Sequence, residues 1–190
     1  MAIVRAAGPV DGQARAGAEF AASRPRRERL ELEAGGAEAL IAQPIPTFSV
    51  EIATLAEAGL EALEAAHRTG WRYLAVSGDS LSLVDIPEQE DRSAELLTGS
   101  EAGGNLAASG RLAEELVRDA GEYEPRVLDL NLIGNSVLWL RARDAGDSDR
   151  FVTLGPEPHE IGGEELIGSL QRAAEEKLVS MRTAQGEAGG

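Results

Sequence analysis

The spacing of apolar residues changes repeatedly along this chain, and that change restricts the fold more than any other feature. After Pro44 and Pro46, Phe48, Val50 and Ile52 alternate with small or polar residues, which predicts a short strand. From Thr54, a suitable N-cap, Leu55, Ala58, Ala62, Leu63 and Ala66 recur at three and four, with Glu57, Glu61 and Glu64 facing water. That spacing predicts an amphipathic helix stopped by Gly70. Trp71, Tyr73 and Ala75 then alternate with their neighbours, and Leu81 and Leu83 follow a Ser-Gly-Asp-Ser turn, which predicts a hairpin ending at Pro87. A second helix follows, with Leu106, Leu112, Leu116, Val117 and Ala120 on one side, and Gly121 closes it. The clearest strand signal is Leu128, Leu130 and Leu132, followed by a Gly134-Asn135 turn. Ser136 to Arg143 and Arg150 to Leu154 complete a meander. The last helix starts after Gly162-Gly163 and buries Leu166, Ile167, Leu170, Ala174, Leu178 and Met181. Long helical stripes interleaved with alternating segments predict an α+β fold rather than a bundle or a sandwich.

From Thr54 the expected order is αββαβββα, a five-stranded antiparallel sheet with flanking helices. The chain of 190 residues accommodates one such domain, expected over 46–182. Residues 1–45 lack a sustained period and carry six Arg against six Asp and Glu, so they read as a flexible N-terminal tail, with 183–190 as a second tail. The whole formal charge of -15 therefore belongs to the rest of the chain. Residues 88–105 are polar and Gly-rich and read as an exposed loop, with one helical turn at Ala94 to Leu97.

Composition narrows the chemistry. The negative charge repels phosphate backbones and argues against nucleic acid. The absence of Cys excludes disulfides, thiolate nucleophiles and thiolate metal sites. No run reaches the roughly 18 apolar residues that span a bilayer, and Arg5, Gly8, Pro9 and Asp11 interrupt the N-terminus too early for a secretory signal. A cytoplasmic protein with no membrane partner is expected. The abundance of Ala, Gly and Arg, with Lys177 the one Lys, fits a GC-rich bacterial genome.

Each motif with a chemical reading also has a plainer one. Gly78-Asp79-Ser80-Leu81 resembles the nucleophile block of GDSL esterases, which would make Ser80 a nucleophile. A serine needs a histidine base oriented by an acid. That family puts an Asp three residues before its late His; here Pro156 stands three before His159, so a Gly-Asp turn explains the tetrapeptide. Asp144, Asp147 and Asp149 miss calcium-loop spacing, because Gly146, Asp149 and Gly155 fall at positions 3, 6 and 12. The glycines from Gly99 to Gly110 match no phosphate-loop spacing. Arg24 to Arg29 reads as a solvated charged segment, His159 as a loop residue and His67 as a partner for helix C-terminal carbonyls. Gly189-Gly190 follows a helix, unlike the diglycine tails of ubiquitin-like carriers, which follow a strand. No catalytic residue, metal or cofactor is expected.

The order of elements resembles that of the roadblock/dynein light chain family over about residues 54–181. The resemblance is carried by WRYLAVSGDSLSLVDI as the first hairpin, RLAEELVRDAGEYEPRVLDLNLIGNSVLWLRA as second helix and hairpin, and ELIGSLQRAAEEKL as last helix. It departs at 88–105, where the family's connection is usually shorter. The resemblance implies a non-enzymatic homodimeric regulator or adaptor that binds a small Ras-like GTPase and dimerises through the second helix and the strand after it. On this chain those elements offer Leu112, Leu116, Leu128 and Leu130 as interface residues, which as large apolar side chains could equally fill a core. If the strand from Arg126 to Ile133 lies at a sheet edge, it needs a partner or cover. Acidic dimeric secretion chaperones offer an alternative, with three strands before the second helix where this sequence shows two. A small hydrolase using Ser80 is the alternative of a different class.

Overall fold

The computed structural model describes residues 3–23, 40–42, 44–77, 80–89, 91–97, 100–130 and 135–187. The fold is α+β, but the sheet is larger than five strands and is mixed. In chain order the elements are α1 (Gly12–Ala22), β1 (Leu40–Ile41), β2 (Ile45–Ser49), α2 (Ile52–Ala58) running into a 3-10 helix (Gly59–Ala65), β3 (His67–Ser77), β4 (Ser80–Pro87) and β5 (Glu95–Leu97). Then follow α3 (Ser100–Leu116), β6 (Tyr123–Leu130), β7 (Asn135–Ala142), β8 (Arg150–Thr153), β9 (Glu160–Ile161) and α4 (Gly163–Glu187). Among the described residues, eight strands lie in the order β5-β4-β3-β2-β6-β7-β8-β9, and β1 also pairs with β3.

All five expected strands are present, as β3, β4, β6, β7 and β8, and four more enlarge the sheet. β5 and β9 are three and two residues long, too short to show a period. β1 lies within the expected tail, and β2 sits at Ile45–Ser49, upstream of the expected Phe48 to Ile52. β2 joins the two hairpin systems: it is antiparallel to β3 and parallel to β6, with Thr47 opposite Val127 and Phe48 opposite Leu128. β6 is therefore an interior strand, paired with β2 and β7, and the described part of the expected edge strand is covered on both sides. A parallel pairing between strands so far apart in sequence leaves no local mark, which is why the reading gave an all-antiparallel sheet.

The sheet is covered on both faces. On one, α2, the 3-10 helix and α4 pack over Leu128, Leu130, Val137, Trp139 and Phe151. The same face continues under α1, where Ala16 and Phe20 cover Trp71, Tyr73, Ala75, Val84 and Ile86. On the other face α3 sets Leu106, Ala113 and Val117 against Leu83, Val127, Leu138, Leu140 and Val152. Residues 12–22, expected as tail, thus form a helix with Ala16 and Phe20 buried. Apolar side chains at 16 and 20, one helical turn apart, are the marks of that packing.

Glycines set two local features. Gly59, at φ +58°, ends α2, so the single helix expected from Thr54 to Gly70 breaks early. Gly103 lets α3 cross close to β4, because a Cβ there would stand 2.7 Å from the Leu81 carbonyl carbon. The stretch 88–105 is therefore no simple loop: it holds β5 and the first turn of α3, while Gly70, expected as a helix stop, lies inside β3.

Candidate functional site

The alternation that buries one face of β3, β4 and β6 turns Arg72, Asp85 and Asp129 to the other, beside α3. Arg72 and Asp85 are cross-strand neighbours, and Asp129 lies beyond the intervening β2. The Arg72 guanidinium donates from Nε to Asp85 Oδ1 and from Nη2 to Asp85 Oδ2, both at 2.7 Å, and from Nη2 to Asp129 Oδ2 at 2.7 Å. Ser136 Oγ donates to Asp129 Oδ1 at 3.1 Å. The Arg72 side chain is 6% exposed, against 26% for Asp85 and 11% for Asp129. Burial opposes the arginine's charge, but the hydrogen bonds and charges of Asp85 and Asp129 outweigh it and raise the Arg72 pKa. One cation shared by two carboxylates leaves a net charge of about -1, held across four strands.

Two cavities flank this cluster. The first, about 250 Å³, lies where the parallel strands β2 and β6 end, with Asp85 and Asp129 in its wall beside Thr47, Thr69 and Arg92. Thr69 Oγ1 donates to the Thr47 carbonyl and hydroxyl at 3.3 Å. The second, about 260 Å³, lies between α3 and the sheet, with Arg72 in its wall among mostly aliphatic side chains. The N-terminal segment closes it: Ile3 bridges to Tyr123, and Val4 donates its N–H to the Tyr123 carbonyl at 2.8 Å.

On the opposite face Trp139 organises a second polar cluster. Its Nε1 donates to Asp149 Oδ2 at 2.7 Å, and Asp149 also accepts from Arg141 and the Ala142 N–H. Arg126 stacks over Phe48 and Trp139, 4.6 and 5.0 Å from the ring centres, and pairs with Glu124. Burial raises the Glu124 carboxyl, but hydrogen bonds from Arg143 and Arg126 outweigh it and hold the pKa below its ordinary value. The cluster ties the sheet to the 3-10 helix through the ion pair of Arg141 with Glu64, at 3.1 Å.

The residues singled out from sequence are scattered. Leu128 and Leu130 are buried under α2 and α4, whereas Leu112 and Leu116 pack partly buried on the α3 face, so the four share no surface. Gly78 and Asp79 lie outside the described residues, as do Gly189 and Gly190. His159 contacts Thr153 and the Glu157 carbonyl, and His67 opens β3. Asp144 and Asp147 form a turn, with Asp147 N–H donating to the Asp144 carbonyl at 3.1 Å, while Asp149 is bound to Trp139. Among the described residues no group of three His, Cys, Asp or Glu is placed to hold a metal, and no helix is long and apolar enough to cross a membrane. A comparison with family models, curated proteins and solved structures finds no match.

The sequence reading missed Arg72, Asp85 and Asp129. Their signal is visible: each stands between two large apolar residues in a strand, as Trp71-Arg72-Tyr73, Val84-Asp85-Ile86 and Leu128-Asp129-Leu130. A charge in that position faces water if one side of the sheet is open and needs a partner if both are covered.

Proposed function

We propose that the chain is a cytoplasmic, non-enzymatic adaptor that works as a homodimer and binds a protein partner. The observation that carries this reading is α4. It runs for 25 residues, yet the residues it buries end at Ala174. The remaining 13 residues extend about 20 Å at 1.5 Å per residue. That half keeps apolar side chains, with Leu178 half-buried, Val179 62% exposed and Met181 46% exposed. A helix carrying such residues beyond the body suits packing against another helix or a groove.

Light scattering after size exclusion tests the dimer on the full chain. The expected mass is twice the 20.0 kDa of one chain, falling to 20.0 kDa when Val179→Glu and Met181→Glu are combined. A single-chain mass for the unaltered protein at every concentration would refute the dimer.

The partner is the finer question. Three strands, β3, β4 and β5, lie between the 3-10 helix and α3, which supports an adaptor similar to the acidic secretion chaperones. The roadblock resemblance points instead to a small Ras-like GTPase, and capture of such a GTPase in one nucleotide state but not the other would favour it.

A further inference from the structure

The cavity between α3 and the sheet has the walls of a ligand site. Ile3, Ile45, Leu74, Leu106 and Leu138 give it an aliphatic lining. Its exposed lining residues are Arg5, Arg111 and Glu114. Arg5 is tied to Glu114 by a single 3.4 Å contact, and Arg111 has no ion-pair partner among the described residues. Arg72, at the inner wall, is more than balanced by Asp85 and Asp129. In a chain of formal charge -15, Arg111 is an exposed arginine with no ion-pair partner among the described residues beside an apolar cavity, where it can receive an anion.

Gly110 points the same way. A glycine inside a helix destabilises it relative to alanine. At Gly103 the close Leu81 backbone requires one; at Gly104 and Gly110 a Cβ would meet nothing within 4 Å, but of these two only Gly110 lines the cavity. A larger side chain there would have room to occupy the cavity, and glycine leaves it open.

We propose that this cavity binds an aliphatic carboxylate of medium chain length. At roughly 30 Å³ for a water-sized group, the 260 Å³ space takes about eight or nine methylene units. The carboxylate sits on the guanidinium of Arg111, with Arg5 as second donor, a geometry arginine reads through paired N–H groups. The site lies on the face opposite α4, so it stands whether or not the chain dimerises.

Calorimetric titration of the full chain with decanoate, and with decan-1-ol as the uncharged control, tests this. Saturable decanoate binding is expected, with decanol weaker by about tenfold or more. Gly110→Leu, which fills the cavity, and Arg111→Glu, which reverses the exposed charge, should each weaken decanoate by at least about tenfold. Thermal melts of both variants by circular dichroism should stay at or above that of the unaltered chain. The proposal fails if the unaltered chain shows no saturable binding, or if both variants bind decanoate as well as it does. Equal affinity for decanol would also overturn it, marking the cavity as a seat for an uncharged apolar group.

Discussion

Replacing Arg72 with Met should expose how much the sheet depends on its buried charge cluster. The substitution keeps most of the aliphatic stem and removes three hydrogen bonds of 2.7 Å, leaving Asp85 and Asp129 without their common cation. Removing one partner of a buried ion pair costs about 3–5 kcal/mol, because the remaining charge stays desolvated. Asp85 is 26% exposed and can regain some water, which places the expected loss near the lower end, at about 3 kcal/mol. With a urea m-value of roughly 2 kcal/mol/M, the unfolding midpoint should fall by about 1.5 M. Adding Asp85→Asn and Asp129→Asn should recover much of the loss at neutral pH. Urea titrations followed by circular dichroism at pH 7 decide the matter. A loss under about 1 kcal/mol at pH 7, or no recovery on adding the two Asp→Asn changes, would show that the cluster behaves as a solvated surface pair.

Other outcomes follow from the same contacts. Phe20→Ala, at a side chain of α1 only 2% exposed against the sheet, should cost about 3 kcal/mol in the same urea assay, whereas a residue in a free tail would cost nothing. Gly104→Ala, where a Cβ meets nothing within 4 Å, should stabilise by up to about 1 kcal/mol in thermal melts. Gly103→Ala should destabilise by about 1–3 kcal/mol, because its Cβ would press on the Leu81 backbone. Glu124, held by Arg143 and Arg126 below its ordinary value of 4.5, stabilises the fold above that value and ceases to do so as pH falls through its lower folded value. Glu124→Gln should therefore lower the urea midpoint at pH 7 and change it little near pH 3.

What the sequence makes legible are the elements whose period is local. Trp71 to Pro87 and Leu128 to Arg143 announce their hairpins because alternation and turn residues lie within one short stretch, and the Leu166 to Ala174 stripe announces α4. β5 and β9 are too short to carry a pattern, and β1 has two residues in a segment with balanced charge. The helix at Gly12–Ala22 is rich in Ala and Gly, so its apolar face is faint and its place is set by Phe20 and Ala16 meeting Trp71 and Tyr73.

The site was hidden for a related reason. Arg72 in a strand reads as outward and solvated as long as the sheet is thought to have one open face. β2 between the hairpins and α3 across the second face change that reading, because together they bury the positions that alternation alone assigns to water. Once both faces are covered, a cation on β3 must find carboxylates on its own face. The register then leaves Asp85 on the neighbouring strand and Asp129 across β2 as its partners, so the charge cluster and the parallel β2–β6 join belong to one structural decision.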